Sequence, residues 1–497
     1  MKIICSREQT RNNDYNCIQA GVSSLKLMLN AGKALLYAHN YTDKKTLIVS
    51  GGGNNGGDGL VLALLLKEKG CDVKVCLAKS NFTEESVYYY GKCKTAGIEC
   101  FNYNGEDFKG YDIIVDAILG VGFTGQIRGD IATVIDKINC SGAYVISADI
   151  PSGLNCDNGL ATVCVRANLT VAINCLKPGY YINDGKDFCG RVLLAPIGIP
   201  VEESLGYLVE KQDFKDMFSA RAYNSHKGNF GYVAILGGSV SYSGATKLAN
   251  CALSSLKVGA GVVKLAVPEE IVDSVSPYLI ESTLVSMPSK KGVLKYDKKA
   301  LNQLIDGVKA LGFGMGADNG GDNERIVEHL VSNYTGTLVI DADGLNALAR
   351  VGVEILKRAN CKIILTPHVK EFSRLTKYTI EQIQANPINL AMAFAKEYGV
   401  TLLLKGSSTI VTNGESVYIC DKGCSGMSTA GSGDVLTGVL TGLCGYSTQT
   451  TDLIAILGAY ICGVAGEQAE KNINSYSMTA RDTITYIPNV ISDIIKS

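Results

Sequence analysis

Short apolar runs alternate with helix-forming stretches along this chain, and that alternation limits the fold more than any other feature. In the first half the runs are KTLIVS, DVKVCLA, YDIIVDAIL, AYVISAD, NLTVAIN and RVLLAPI, with helical patterns over 57–70, near 84–97 and near 127–139 between them. A strand covered on both faces reads as a continuous apolar run, and strands separated by helices pair in parallel through crossovers. A doubly wound parallel α/β sheet is therefore expected, preceded by one long amphipathic helix over 16–40. The pattern stops over 200–225, where no clear apolar strand precedes residue 231. It restarts with GYVAILGG, a helix over 244–258, GVVKLAV, GTLVIDAD, CKIILTP, VTLLLKG, STIVTNG and ESVYIC, then long helices from 431 and over about 450–471. Two α/β domains follow, 1–212 and 216–497, with the boundary near 212–218. No close internal repeat links the halves, so different folds are expected.

Composition removes several function classes. The net charge of −1 offers no basic field for nucleic acid or an anionic membrane. No apolar run has the length of a membrane span, and the first residues lack the apolar stretch of a secretory signal. The 17 cysteines are scattered without C-x-x-C spacing and sit largely in apolar runs, as small hydrophobes in a reducing cytoplasm do. Four histidines, none paired at ligand spacing, argue against zinc.

Ligands of open α/β sheets bind beyond the carboxyl ends of strands, and the first half has four polar loops there. GGGNNGGDG occupies 51–59. VDAILGVGFTGQ brings Asp116 to a strand end, and Gly120-x-Gly122-x-x-Gly125 is expected to open a helix. SADIPSGL carries Asp149 and Ser152, and NCLKPG carries Lys177. The GVGFTG run matches a dinucleotide fingerprint, but the region near Asp136, where an acidic ribose partner should end a second strand, reads as helix. A glycine loop giving backbone N–H groups to phosphate remains possible chemistry. The oxygens of Asn55, Asp116 and Ser152 could converge on a hard monovalent cation. The bland alternatives are a helix cap for Asp116 and a turn-fixing role for Ser152.

In the second half STAGSGDVLTG (428–438) puts Asp434 in the first turn of a helix behind a glycine turn. Free N–H groups and the helix dipole there favour an anion. Asp434 could simply stabilise the helix end, or could serve as a base that deprotonates an attacking hydroxyl. No Walker pattern is present. His368 and Lys405 lie in TPHVKEF and LLKGSSTIV, where each could equally be an ordinary loop residue.

GGGNNGGDG, VDAILGVGFTG and ADIPSGL together resemble the N-terminal, epimerase half of the NAD(P)H-hydrate repair enzymes over about residues 8–210. NSHKGNFG, YSGAT, GFGMG, DADGLN, TPHVKEF, LLKGSSTIV and GSGD resemble, in the same order, the C-terminal ribokinase-like dehydratase half over about 216–495. The resemblance implies a Rossmann-like N-terminal domain and a ribokinase-like C-terminal one. It implies that Asn54, Asn55, Gly56, Gly57 and Asp58, with Gly120, Val121, Gly122, Phe123, Thr124, Gly125 and Gln126, line the hydrate site, and that Asp149 contacts the substrate. It also implies potassium on Asn55, Asp116 and Ser152. In the second domain it implies hydrate contacts from Ala245, Gly316, His368 and Asp434, and nucleotide contacts from Lys405, Gly406, Ser407, Ser408, Thr409 and Gly433. ADP with Mg2+ is the implied donor, and NADHX and NADPHX (the hydrates of NADH and NADPH) the implied substrates. A homo-oligomer is expected.

The chemistry fits these residues. A hydrated nicotinamide carries a hydroxyl beside its ring nitrogen; loss of that hydroxyl gives a planar cation to which water can return on either face. Such a step needs a placed acid/base group, for which Asp149 is the first choice and Lys177 an electrostatic second. Asp434 is the expected base of the dehydratase. The chain departs from the family at Leu29, where the family has glutamate; at Phe313, where it has proline; and at Val369–Lys370, where it has Pro-Gly. Two rival readings are a vitamin- or sugar-type kinase fused to a binding domain, and a first half that is only a scaffold.

Overall fold

The computed structural model describes residues 1–79, 81–254 and 257–497. Its internal contacts part the chain into Lys2–Gly206 and Tyr207–Ser497.

The N-terminal unit holds β1 (Thr46–Ser50), β2 (Val73–Leu77), β3 (Glu99–Asn102), β4 (Ile113–Ala117), β5 (Tyr144–Ala148), β6 (Leu169–Ile173) and β7 (Arg191–Ala195). They pair in the order β3-β2-β1-β4-β5-β6-β7, every pair parallel. All of β1 and β4 is buried, because alternate side chains enter two apolar layers. Ile48 and Val115 pack in one layer with Leu35, Leu60 and Val61. Leu47, Val49 and Ile114 pack in the other with Ile131, Val134 and Ile138. The chain runs outward from β1 in both directions, so a crevice opens beyond the carboxyl ends of β1 and β4.

Three expectations are corrected here. The long helix over 16–40 is two helices, α1 (Arg7–Gln19) and α2 (Ser24–Ala38). Gly21, at φ 99°, turns the chain between them, and Ser23 caps the second by accepting from Lys26 N. Ser6 and Gln9 form a capping box that starts α1. The helix expected over 57–70, α3, begins already at Asn54 and runs to Glu68. The Gly120–Gly125 run opens no helix; it is a loop, and α5 (Asp130–Asn139) starts only after Gly129, with α4 (Glu84–Thr95) before it.

The C-terminal unit holds β8 (Tyr232–Leu236), β9 (Val262–Pro268), β10 (Thr283–Met287), β11 (Ala310–Phe313), β12 (Thr337–Ile340), β13 (Lys362–Leu365), β14 (Thr401–Leu404), β15 (Thr409–Thr412) and β16 (Val417–Cys420). Their order is β16-β15-β14-β13-β12-β11-β8-β9-β10. The strands from β10 to β14 are parallel, and β14, β15 and β16 pair antiparallel. Helix α6 (Ser243–Ser254) crosses α11 (Ser432–Cys444) closely: a Cβ at Gly438 would sit 2.3 Å from Ala249 O. Part of the helix expected over 244–258, residues 255 and 256, lies outside the described residues. The helix Thr451–Asn472 is long and apolar enough to span a membrane, and 78% of its apolar window is buried in the protein.

The division between the units falls ahead of the boundary expected near 212–218. The reason is Phe214, fully buried in the C-terminal core and 5.0 Å, ring to ring, from Tyr460. A short strand, Gly206–Leu208, also occupies the stretch that carries no strand signal in the sequence.

Candidate active sites

The N-terminal crevice is a cleft of about 770 Å³. Asn54, Asn55 and Asp58 from α3 line it, with Gly120, Val121, Gly122 and Phe123, and with Asp149 and Lys177 from the loops after β5 and β6. Gly56 and Gly57 are buried, and Thr124, Gly125 and Gln126 are exposed away from the lining.

The glycine run contributes mainly to packing within the protein. A Cβ would lie 1.9 Å from Ile118 O at Gly51, 1.9 Å from Asn81 O at Gly52 and 2.0 Å from Gly51 O at Gly56. At Gly57 it would meet Met28, and at Gly59 Ala117. Within this run, only at Gly53 does no atom of the described residues lie within 4 Å. Gly53 is the N-cap of α3 and provides no side-chain cap, so the first N–H groups of the helix remain open beside the cleft. The six-glycine pattern thus reflects neighbouring backbone more than ligand.

Asp149 sits at φ 60°, a conformation that costs a non-glycine residue roughly 1–3 kcal/mol and concentrates at functional sites. Tyr180 Oη donates to its carbonyl at 2.7 Å. Its Oδ1 accepts from Lys177 Nζ at 2.5 Å and from Ile173 N at 3.0 Å. Lys177 is wholly buried; burial works against its charge, but Asp149 and the Cys175 thiol hold its ammonium above the ordinary range. Asp14, Asp58 and Glu85 also line the cleft. Asp58 is pushed well up by burial and by the negative Asp149 and Asp14. Asp14, on α1, is pushed up to about 6 by burial, with Lys177 pulling down and Asp149 pushing up.

Asp116 and Ser152 come together beneath this cleft. Ser152 donates from Oγ to Asp116 Oδ1 at 2.5 Å and from N to Oδ2 at 2.8 Å, and Ser147 Oγ donates to Oδ2 at 2.9 Å. Burial raises the Asp116 carboxyl, and the Ser152 bonds counter it. Asn55 Nδ2 donates to Leu119 O at 3.0 Å, and Ser152 Oγ receives Leu119 N at 2.9 Å. Asn55 Oδ1 is buried without a partner, which is costly for a carbonyl oxygen. Leu29 packs against the apolar core and does not line the cleft.

In the C-terminal unit, α11 opens at Gly431, φ 98°, with no side-chain cap, and carries Gly433 and Asp434 in its first turn. Lys405, after β14, places Nζ 2.9 Å from Asp341 Oδ1 and 3.9 Å from Glu371 Oε2. Thr437 Oγ1 donates to Asp341 Oδ2 at 2.9 Å. A Cβ on Gly433 would stand 3.4 Å from Asp341 Oδ2 and 3.5 Å from Lys405 Nζ, so the helix end abuts this ion pair. Asp434 has no hydrogen-bond donor among the described residues; burial and the negative Asp341 push its carboxyl up to about 7, against Lys405. Burial likewise pushes Glu371 up to about 7, against Lys405.

His368 caps the helix α9 (Val369–Thr376), its Nδ1 accepting from Lys370 N and Glu371 N at 3.1 and 3.2 Å. Its ring is half exposed, and burial with Lys405 keeps it below the usual imidazole range. Lys405 N donates to Pro367 O at 2.9 Å, which holds the two motifs side by side. Gly406, Ser407 and Ser408 make the turn before β15, which starts at Thr409. Ala245 and Gly316 touch: a Cβ on Gly316 would be 2.9 Å from Ala245 Cβ. Phe313, where the family has proline, ends β11 fully buried, and Gly314 at φ 119° makes the turn. Val369 and Lys370 form the first turn of α9.

Sequence reasoning passed over Asp14, because its segment carried no helical assignment. Asp341 and Glu371 lay inside quoted motifs without a role; their pairing with Lys405 joins residues from three separate strand ends.

Comparison with known proteins adds an independent line. Residues 233–489 match the family model described as NAD(P)H-hydrate dehydratase, and residues 24–179 the model described as YjeF-related protein N-terminus. A bifunctional NAD(P)H-hydrate repair enzyme of Moorella thermoacetica is 34% identical, covering 95% of this chain and 93% of its own. One from Archaeoglobus fulgidus is 33% identical and covers 99% of each. The crystal structure of a ribokinase-like superfamily protein from Enterococcus faecalis, 20% identical, covers 60% of this chain and 100% of its own with a TM-score of 0.50; it supports the fold of the C-terminal unit.

Proposed function

The chain belongs to the bifunctional NAD(P)H-hydrate repair enzymes, and from that premise we propose how each unit performs its half of the repair. The N-terminal unit interconverts the R and S hydrates of NADH and NADPH. The C-terminal unit removes water from the S hydrate at the expense of ADP, giving NAD(P)H, AMP and phosphate.

The observation that carries this reading is the unpaired Asp434 carboxyl at an open helix end, beside the Lys405–Asp341 pair. A base poised near neutral pH is effective in proton transfer. Asp434 takes the hydroxyl proton of the hydrate, and the freed oxygen attacks the terminal phosphorus of ADP as its bond to AMP breaks. Phosphate then leaves the carbon with its bonding pair while the ring nitrogen supplies electrons, and loss of the neighbouring ring proton restores the dihydronicotinamide. Lys405, the 406–409 turn and the N–H groups around Gly433 hold the nucleotide phosphates. Ala245, Gly316 and His368 shape the hydrate side. Magnesium would enter with ADP, neutralising phosphate charge beside the Asp341, Glu371 and Asp434 carboxylates; among the described residues no protein cluster is built to hold a metal alone.

In the N-terminal cleft Asp149, fixed by Lys177 and Ile173 N, is the acid/base group at the nicotinamide. Asn54–Asp58 and the 120–126 loop receive the remainder of the hydrate. Potassium fits Asn55, Asp116 and Ser152: Asn55 Oδ1 is a buried oxygen without a partner, and Asp116 has no cationic side chain against it among the described residues. The ion would supply positive charge that ties α3 to the β4 and β5 loops. The protein works in the cytoplasm, where its thiols stay free, and as a homo-oligomer.

The test is recovery of reduced-nicotinamide absorbance from a mixed-epimer hydrate stock with ADP, with ATP and without nucleotide. Complete ADP-dependent recovery is expected. Recovery without nucleotide would overturn the dehydratase mechanism, and recovery that stops at the S fraction would overturn the epimerase assignment.

A further inference from the structure

Helix α1 stands outside the strand–helix alternation that builds the sheet, yet it supplies one wall of the N-terminal cleft. Arg11, Asp14 and Ile18 all line that cleft, and their i, i+3, i+7 spacing places them on one face of the helix. Arg11 reaches the glycine loop: a Cβ on Gly122 would lie 3.4 Å from its Nη2. Asp14, next along the same face, is within electrostatic reach of Lys177, Asp149 and Asp58, and its carboxyl has no hydrogen-bond donor among the described residues. An unpaired carboxyl at the wall of a binding cleft is poorly accounted for by folding alone.

Epimerisation needs more than Asp149 provides. Inversion at a planar cation requires the hydroxyl to leave by one face and water to return by the other. Asp149 is pinned on one wall by Lys177 and Ile173 N, and a single pinned carboxyl serves one face of the ring. We propose that Asp14 is a second catalytic acid/base group of the epimerase cleft, acting on the nicotinamide ring from the α1 wall, across from Asp149. This rests on the epimerase reading given above. The Asp14 carboxyl passes its proton to the hydroxyl oxygen. The C–O bond breaks with its pair leaving on water, and the nitrogen lone pair closes the C=N bond of the cation. Water adds to the same carbon from the other face, the C=N pair returns to nitrogen, and the proton of the added water goes to Asp149. In the opposite direction the two carboxyls exchange roles, and solvent resets the proton between them. A carboxyl pushed up to about 6 by burial keeps a protonated fraction that an ordinary aspartate would lack.

The experiment follows interconversion of separated R and S hydrates by the full chain, without nucleotide, using epimer-resolving chromatography across pH 5–9. Asp14→Asn should lower kcat by about 10²-fold, shift KM by less than about threefold, and remove the limb in which the rate falls as pH rises; Asp14→Glu should recover at least about tenfold of the loss. Dehydration of pure S hydrate with ADP should be unchanged in both variants. A wild-type chain that does not interconvert the epimers defeats the epimerase reading itself. A wild-type chain that does, with Asp14→Asn retaining both kcat and the alkaline limb, overturns the role of Asp14 alone. So does loss of that limb in Asp58→Asn with Asp14→Asn unaffected. A loss in Asp14→Asn that appears only in KM marks a structural role and also overturns it.

Discussion

The two sites rest on the same pair of groups and employ them differently. Each sets a lysine against a carboxylate beyond the carboxyl ends of parallel strands: Lys177 on Asp149 at 2.5 Å, Lys405 on Asp341 at 2.9 Å. In the N-terminal unit the paired carboxylate itself lines the cleft. In the C-terminal unit the proposed base, Asp434, is not part of the pair and stands on a helix end. On the proposed reading, epimerisation develops a cation beside the Lys177–Asp149 pair. Phosphoryl transfer begins with removal of a proton from a hydroxyl, which calls for a base of raised proton affinity, and Asp434 at about 7 has it. The electrostatic motif is shared, but the placement of the unpaired carboxyl follows the charge that each reaction generates.

The largest expected effect tests that division. Asp434→Asn should lower dehydration of the S hydrate by about 10²–10⁴-fold while R–S interconversion continues at the wild-type rate. Dehydration near the wild-type rate would remove Asp434 from the chemistry and leave the Lys405–Asp341 pair as the better candidate.

A smaller effect probes the cation. Asn55→Ala deletes the buried oxygen that has no partner and should raise the potassium concentration for half-maximal epimerisation by about tenfold, without touching dehydration, as loss of a supporting ligand does. An unchanged potassium response would show that Asn55 is no ligand.

The sequence shows some of this organisation and hides the rest for definite reasons. The buried parallel strands are legible because both of their faces are covered, which leaves uninterrupted apolar runs such as TLIVS. Asp434 is legible because its glycine turn and helix lie next to it in the chain. Asp14 is not, because α1 has a polar sequence, REQTRNNDYNCIQ, with little apolar patterning. Nor is the Asp341–Lys405–Glu371 cluster, whose members come from three strand ends and meet only through the sheet. The glycine run misleads in an instructive way. Its composition suggests a backbone bared for a ligand, yet at Gly51, Gly52 and Gly56 the neighbour is the protein's own carbonyl oxygen.

That last point can be broken by a pair of substitutions. Gly56→Ala forces a Cβ to within 2.0 Å of Gly51 O and should cost about 1–3 kcal/mol, as overpacking typically does. Gly53→Ala meets nothing among the described residues and should change stability by less than about 1 kcal/mol, while weakening hydrate binding where the helix end is open. Chemical unfolding followed by urea titration measures the first effect, and the KM for epimerisation the second. Equal stability of the two variants would mean that the run is not fixed by packing.

The smallest effect concerns stability and pH, and it separates a proton-hungry carboxyl from a paired one. Burial and the neighbouring Asp341 push the Asp434 carboxyl in the folded chain from the ordinary 3.8 up to about 7. Between those values the folded chain binds more protons at this site than the unfolded chain, so the contribution of Asp434 to stability is full below about pH 4 and is lost as pH climbs through 7. Glu371, raised from 4.5 to about 7, acts in the same sense. Asp434→Asn removes one of these liabilities. Its melting temperature should match that of the wild type at pH 3.5 and exceed it at pH 8 by a few degrees, since about 1 kcal/mol moves a unit of this size by roughly 2–4 °C. Scanning calorimetry of both full-length proteins at the two pH values makes the comparison. A gain at pH 8 would mean that the site holds its base at a cost to folding, as reactive groups in clefts often do. A variant less stable than the wild type at pH 8 would mean that Lys405 already compensates Asp434, and the contrast drawn here between a supporting ion pair and a separate reactive carboxyl would fail.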